Sequence, residues 1–177
     1  MLTFLQRRRF WVELFIWFLL VIAVYAFTQW RGSQGSEHLQ KQLPPALQVT
    51  SLTGQREEIR LQAEKILLLN YWAPDCPPCI AETPLLVRLE HWFAGKHFGI
   101  VGLAVPGSSP AAVQARIQQL GIDYPVYLAS DQAAAVAGGV VLTPTTLLVN
   151  ENGQIVGRYV GAIALPVILW KLFWIWV

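Results

Sequence analysis

The chain has 177 residues, enough for one domain with an appendage and a substantial core. Its apolar share, 54%, exceeds that of an ordinary soluble domain, and the surplus gathers near the N-terminus and again at the extreme C-terminus. The formal charge of +2 comes from Arg7, Arg8 and Arg9 against Glu13; from Arg31 onward acid and base balance, which excludes a basic stripe for nucleic acid.

Phe10 to Phe27 reads FWVELFIWFLLVIAVYAF, and its 18 residues at helical rise span roughly 27 Å, close to the hydrocarbon thickness of a bilayer. Glu13 lies within a turn of the arginine-bearing end, and Trp11 and Trp30 bracket the run at interface depth. The arginines predict a cytoplasmic N-terminus with the remainder exported. A signal peptide cleaved near Val24-Tyr25-Ala26 is the competing reading. The run is long and rich in Trp and Phe for that role, so an uncleaved anchor is preferred. The expected organisation is therefore residues 1–30 as N-terminus and transmembrane signal anchor, 31–44 as tether, and 45–177 as the folded domain.

Short strands are predicted at Ala46–Leu52 and Glu58–Leu61 around a Thr53-Gly54 turn. Lys65–Tyr71 is a continuous apolar run, the pattern of a strand buried on both faces. A helix is expected from Pro77 to His91, a strand at Gly99–Val105, and a helix at Pro110–Leu120 with Ser109 as N-cap. Tyr124–Leu128 then reads as a strand, Asp131–Ala137 as a helix, and Thr145–Asn150 with Gln154–Val160 as a hairpin. A last helix starts near Leu165-Pro166. Leu165–Val177 is apolar on nearly every face and carries Trp170, Trp174 and Trp176, so it is either the last helix packed on the sheet or an interfacial contact. Alternation of strands and helices with a terminal hairpin predicts an α/β fold, a mixed sheet with helices on both faces.

The only two cysteines lie in Cys76-Pro77-Pro78-Cys79, where a buried strand runs straight into a helix. The first cysteine lands at the helix N-terminus, whose unsatisfied N–H groups and dipole favour an anion and so the thiolate. Pro77 and Pro78 fit a first turn whose N–H groups have no intrahelical partner, and they stiffen the loop. Position assigns Cys76 as nucleophile and Cys79, one turn on, as resolving thiol of a redox disulfide. A zinc site would need two further ligands, and the histidines His38, His91 and His97 lie in the tether or beyond the helix. Soft-metal capture, of Cu(I) for instance, is the alternative use of the dithiol. The second signal is Thr143-Pro144 before an apolar strand, which with an upstream C-x-x-C suggests a cis bond beside the cysteines. Such a turn leaves neighbouring backbone free to pair with an extended partner.

Asn70-Tyr71-Trp72-Ala73, the C-P-P-C, Glu82 with Pro84, and Thr143-Pro144-Thr145-Thr146 followed by Asn152-Gly153 resemble the TlpA/ResA/DsbE-type thioredoxin-like proteins. The suppressor-of-copper-sensitivity thioredoxin-like proteins are a similar group. The resemblance covers roughly Leu43 to Val177. It implies a thioredoxin fold with an extra N-terminal β-hairpin and a central insertion, supplied by Pro106–Ser130. It also implies a thiol–disulfide oxidoreductase of the bacterial inner membrane with its catalytic domain outside the cytoplasm. Such a protein serves protein thiols and disulfides of the envelope, often as a reductase in cytochrome c maturation, with a membrane electron donor and no bound cofactor.

The resulting site places Cys76, Cys79, Pro144 and Glu82 in the chemistry and Thr143, Pro77, Pro78 and Trp72 against the partner. Trp72, like Tyr71, equally suits the core. Glu82, nearly a turn beyond Cys79, is either a proton exchanger for it or a solvated helix glutamate. Asn70 stands where thioredoxins proper carry a buried acid. Asp75 stands where the resembling family usually has tryptophan, and an adjacent carboxylate disfavours the thiolate.

Overall fold

The computed structural model describes residues 11–20, 22–23, 44–62, 65–139, 142–161 and 168. The chain divides into two compact units, Met1–Glu37 and His38–Val177. In the first, residues 11–20, 22 and 23 are helical, and large apolar side chains such as Trp11, Phe15, Trp17 and Phe18 stand exposed. Among the described residues no helix is long and apolar enough to cross a membrane. Phe10, Val21 and residues 24–27 of the apolar run, the tether up to residue 43 and the helix expected from Leu165 lie outside the described residues, Ile168 excepted, which is helical and buried.

The second unit is built on a mixed seven-stranded sheet. Its strands are β1 (Ala46–Thr50), β2 (Arg56–Arg60), β3 (Ile66–Trp72), β4 (Phe98–Ala104), β5 (Val126–Ala129), β6 (Thr145–Val149) and β7 (Ile155–Val160). Three helices join them: α1 (Pro77–Phe93), α2 (Pro110–Leu120) and α3 (Asp131–Val136). The strand order is β2-β1-β5-β4-β3-β6-β7. β3, β4 and β5 run parallel, while β1 and β6 add antiparallel on either side. The expected hairpins are both present, β1 with β2 and β6 with β7. α2 and β5 fall within the expected insertion. β2 closes one edge with Arg56, Glu58 and Arg60 exposed.

β3 is apolar on both sides because both sides are covered. Ile66, Leu68 and Trp72 join one core with Leu86 and Leu89 of α1 and Val113 of α2. Leu67, Leu69 and Tyr71 join the other with Leu47, Leu103, Leu147 and Ala133 of α3. Strand alternation therefore turns Asn70 towards α1. On the opposite face the Tyr71 hydroxyl donates to the Ala133 carbonyl at 2.8 Å, and burial raises its pKa.

The predicted boundaries hold to within one or two residues. β5 begins at Val126 rather than Tyr124, because Pro125 has no N–H for the ladder. Its carbonyl instead accepts the Gly102 N–H at 2.9 Å. Ser109 occupies the N-cap of α2 as expected, yet its hydroxyl makes no capping bond.

Candidate active site

β3 carries the chain from the core to the sheet's end, and Ala73-Pro74-Asp75 turns it into α1. The Cys76 N–H closes this turn on the Ala73 carbonyl at 3.2 Å. Cys76 is the N-cap of α1: its sulfur accepts the Cys79 N–H at 3.3 Å, where other helices use a hydroxyl or carboxylate. Pro77 and Pro78 fill the first positions at no hydrogen-bonding cost, and both are exposed. Cys76 and Cys79 form a disulfide with Cα atoms 5.3 Å apart. The two sulfurs are unequal in access: Cys76 is part-exposed, whereas Cys79 is 1% exposed.

The Thr143–Pro144 peptide is cis, as the sequence suggested. It sets the Thr143 carbonyl oxygen 3.6 Å from the Cys76 sulfur. Pro144 is buried, Thr143 is part-exposed and Leu142 is open to solvent. The turn is anchored by the Thr145 hydroxyl donating to the Leu142 carbonyl at 2.7 Å and by the Gly161 N–H donating to the Pro144 carbonyl at 2.8 Å.

Nearly one turn of α1 beyond Cys79 lies a buried polar seam. The Asn70 side-chain amide donates to a Glu82 carboxylate oxygen at 2.8 Å and to the Thr146 hydroxyl oxygen at 3.0 Å. Asn70 and Thr146 are direct cross-strand partners, so the second bond follows from the register of β3 and β6. Glu82 is 5% exposed, which removes the reading of a solvated helix glutamate. Its carboxylate is tied to β3, three residues beyond Cys79 on α1, and the carboxyl that β3 lacks at Asn70 is supplied by the helix. The nearby Tyr124 hydroxyl is held above its ordinary pKa, first by burial and then by the Glu82 charge.

Trp72 packs in the α1-side core at 2% exposure, and its indole N–H has no partner among the described residues. Buried so, it offers a partner no surface. Gly102 leaves room for that indole, since an added Cβ would stand 3.3 Å from its nitrogen. Asp75 is exposed. Sequence reasoning passed over Thr146 as an Asn70 ligand and Arg116, which donates to the Pro74 carbonyl at 2.8 Å. The spacing of β6 behind the cis-proline was the one available signal for Thr146.

The redoxin family model matches residues 40–166. The thiol–disulfide oxidoreductase ResA of Halalkalibacterium halodurans is 29% identical over 159 residues, covering 88% of this chain and 89% of that protein. ResA of Bacillus subtilis is 31% identical over 117 residues, 66% of this chain and 65% of that one. Among solved structures, a thioredoxin-family thiol:disulfide interchange protein from Chlorobium tepidum superposes with a TM-score of 0.62 at 25% identity, over 71% of this chain and 89% of that one. A DsbF homologue from Corynebacterium diphtheriae reaches a TM-score of 0.64 at 24% identity, over 75% and 86% respectively. Fold, cysteine pair and relatives agree: the chain belongs to the redoxin family, among the thiol–disulfide oxidoreductases built on the thioredoxin fold.

Proposed function

We propose that this protein is an anchored bacterial envelope oxidoreductase that reduces disulfides of partner proteins through its C-P-P-C pair. The unequal access of the two sulfurs carries the reading: Cys76 is part-exposed at a helix N-cap, and Cys79 is 1% exposed. In the reduced protein the Cys76 thiolate attacks a partner disulfide, forming a mixed disulfide and releasing one partner thiolate. Cys79, deprotonated with the Glu82 carboxylate as acceptor, then attacks the Cys76 sulfur. The Cys76–Cys79 disulfide forms, the second partner thiolate leaves, and two electrons have passed to the partner. Thr143, Pro144, Pro77 and Pro78 frame the approach of an extended partner segment, with the Thr143 carbonyl available to its backbone.

Reduction as the working direction is supported by Asp75, an exposed carboxylate one residue before Cys76, since a neighbouring negative charge weakens the thiolate form. A membrane electron donor then restores the dithiol, and cytochrome c maturation or another envelope thiol pathway consumes it. Anchoring, with the domain outside the cytoplasm, is supported by the largely apolar run Phe10–Phe27 behind three arginines. Soft-metal capture by the same dithiol gives the Thr143 carbonyl no task.

The test is a pair of variants. Cys76→Ser should abolish exchange, and Cys79→Ser should accumulate a covalent mixed disulfide with its partner. Limiting alkylation of the reduced protein should label Cys76 first. Preferential labelling of Cys79 would reverse the roles. A reporter after Val177 should be active outside the cytoplasm, and the chain should resist carbonate extraction.

A further inference from the structure

Helix α2 brings a cation to the loop that carries Cys76. Arg116 donates from Nε to the Pro74 carbonyl at 2.8 Å and from Nη1 to the Gln119 side-chain oxygen at 2.6 Å. Pro74 is two residues before Cys76, is buried and has no N–H of its own. The turn is thus closed from within by the Cys76 N–H on Ala73 and from outside by Arg116 on Pro74. Gln119 lies three residues along α2 and takes the Nη1 donor, so the guanidinium is held at a second point while Nε meets the carbonyl. Arg116 and Asp75 line the same cleft of about 620 Å³ beside this loop, together with Ser108 and Ser109. Among the described residues no carboxylate lies within ion-pair distance of Arg116.

We propose that Arg116 is a positioning residue for the redox loop: it fixes the peptide carbonyl ahead of Cys76 and supplies a permanent positive charge that offsets Asp75 at the sulfur. The proposal rests on the reading of Cys76 as the attacking thiol. Its physical basis is a bond whose donor is ionised at any working pH, stronger than a neutral one and directed at backbone that must hold its place while Cys76 changes partners. The charge acts with the α1 dipole and against Asp75. Asp75 on the loop is the acidic group that lines this cleft with Arg116.

The full chain in three forms, wild type, Arg116→Gln and Arg116→Lys, tests this with a small aromatic disulfide as substrate and with glutathione as redox partner. Gln keeps a donor but no charge; Lys keeps the charge but no planar fork. Arg116→Gln should lower kcat about tenfold with KM nearly unchanged, and move the glutathione equilibrium a few-fold towards the protein disulfide. Arg116→Lys should restore the equilibrium and part of kcat. The proposal fails if Arg116→Gln matches wild type in kcat and equilibrium. It also fails if kcat falls only in step with the thermal midpoint and Lys gives no rescue. Cys76→Ser separates the two readings. Exchange persisting in Cys76→Ser overturns the assignment of the attacking thiol, whereas an inactive Cys76→Ser beside an unaltered Arg116→Gln overturns the Arg116 proposal alone.

Discussion

Towards the N-terminal end of α1 the polar groups that meet β3 and β6 are buried and face one another; at the C-terminal end the polar groups are half buried or open to water. Asn70, Glu82 and Thr146 form a seam closed from solvent. At the far end His91 pairs with Asp123 with both side chains about half open, at 61% and 48% exposure. Glu90, half buried, accepts the Ile100 N–H at 2.8 Å, and Lys96 lies 5.8 Å above the Phe93 ring. The kinds of contact are alike, but their consequences differ. A buried partner cannot be replaced by water, so its removal leaves a desolvated charge; an exposed partner can. One end of the helix is therefore committed to chemistry, while the other fastens it to β4 and the α2–β5 loop.

Removing the sulfur should break the contrast most completely, with no exchange detectable in Cys76→Ser against a small aromatic disulfide. Glu82→Gln comes next. Loss of a positioned proton acceptor should slow resolution by about a hundredfold, leave the first attack nearly intact, and be visible as a build-up of mixed disulfide in rapid-quench measurements. A fast-resolving Glu82→Gln would show that the carboxylate has only a structural part.

Asn70→Ala strands the Glu82 carboxylate without one of its donors and should cost about 1–3 kcal/mol in denaturant unfolding of the oxidised protein. His91→Ala should cost no more than about 0.5 kcal/mol in the same assay. If the two costs were equal, burial would not be what separates the two ends.

β3, the C-P-P-C and the cis-proline were legible because each is a local pattern: a continuous apolar run, a spacing, a proline before a strand. The limits of α2 were legible for the same reason, with Pro110 opening it and Gly121 closing it in the left-handed region at φ 64°. The partner of Asn70 was not, since Thr146 lies 76 residues away and only the β3–β6 register unites them. Arg116 was hidden in the same way: it lies 42 residues from Pro74, on a helix whose composition gives no sign of contact with the redox loop. The burial of Glu82 was half legible, since its spacing from Cys79 gave the helix face but not what covers that face.

Two smaller effects sharpen the comparison. Asp75→Asn should lower the apparent Cys76 pKa and raise the reduction potential by a few to about 30 mV, less at high salt because Asp75 is exposed. Thiolate absorbance across a pH series measures the first, and glutathione equilibration the second. An unchanged or higher pKa would mean that the carboxylate does not act on the sulfur. At the other end, burial raises the Glu90 carboxyl, opposed by the Ile100 N–H and Lys65. The folded state then holds this proton more tightly than the unfolded chain does. Its contribution is full in acid, below the ordinary carboxylate range, and is lost as pH rises through the raised value. The thermal midpoint of wild type should therefore fall relative to Glu90→Gln as pH rises out of the ordinary carboxylate range. Parallel curves would refute it.

β2 ends the sheet with a charge-rich strand, Arg56-Glu57-Glu58-Ile59-Arg60, all five residues of which pair with β1 in antiparallel register, Glu57 and Ile59 being half buried. An open ladder edge is a template on which another chain can crystallise into a growing fibre. Here a strand seeking that edge would have to strip water from Arg56, Glu58 and Arg60, which are exposed, with nothing on its own backbone to compensate them. In the proposed function, a partner held covalently at one end of the sheet would thus find no second, unproductive berth along this side.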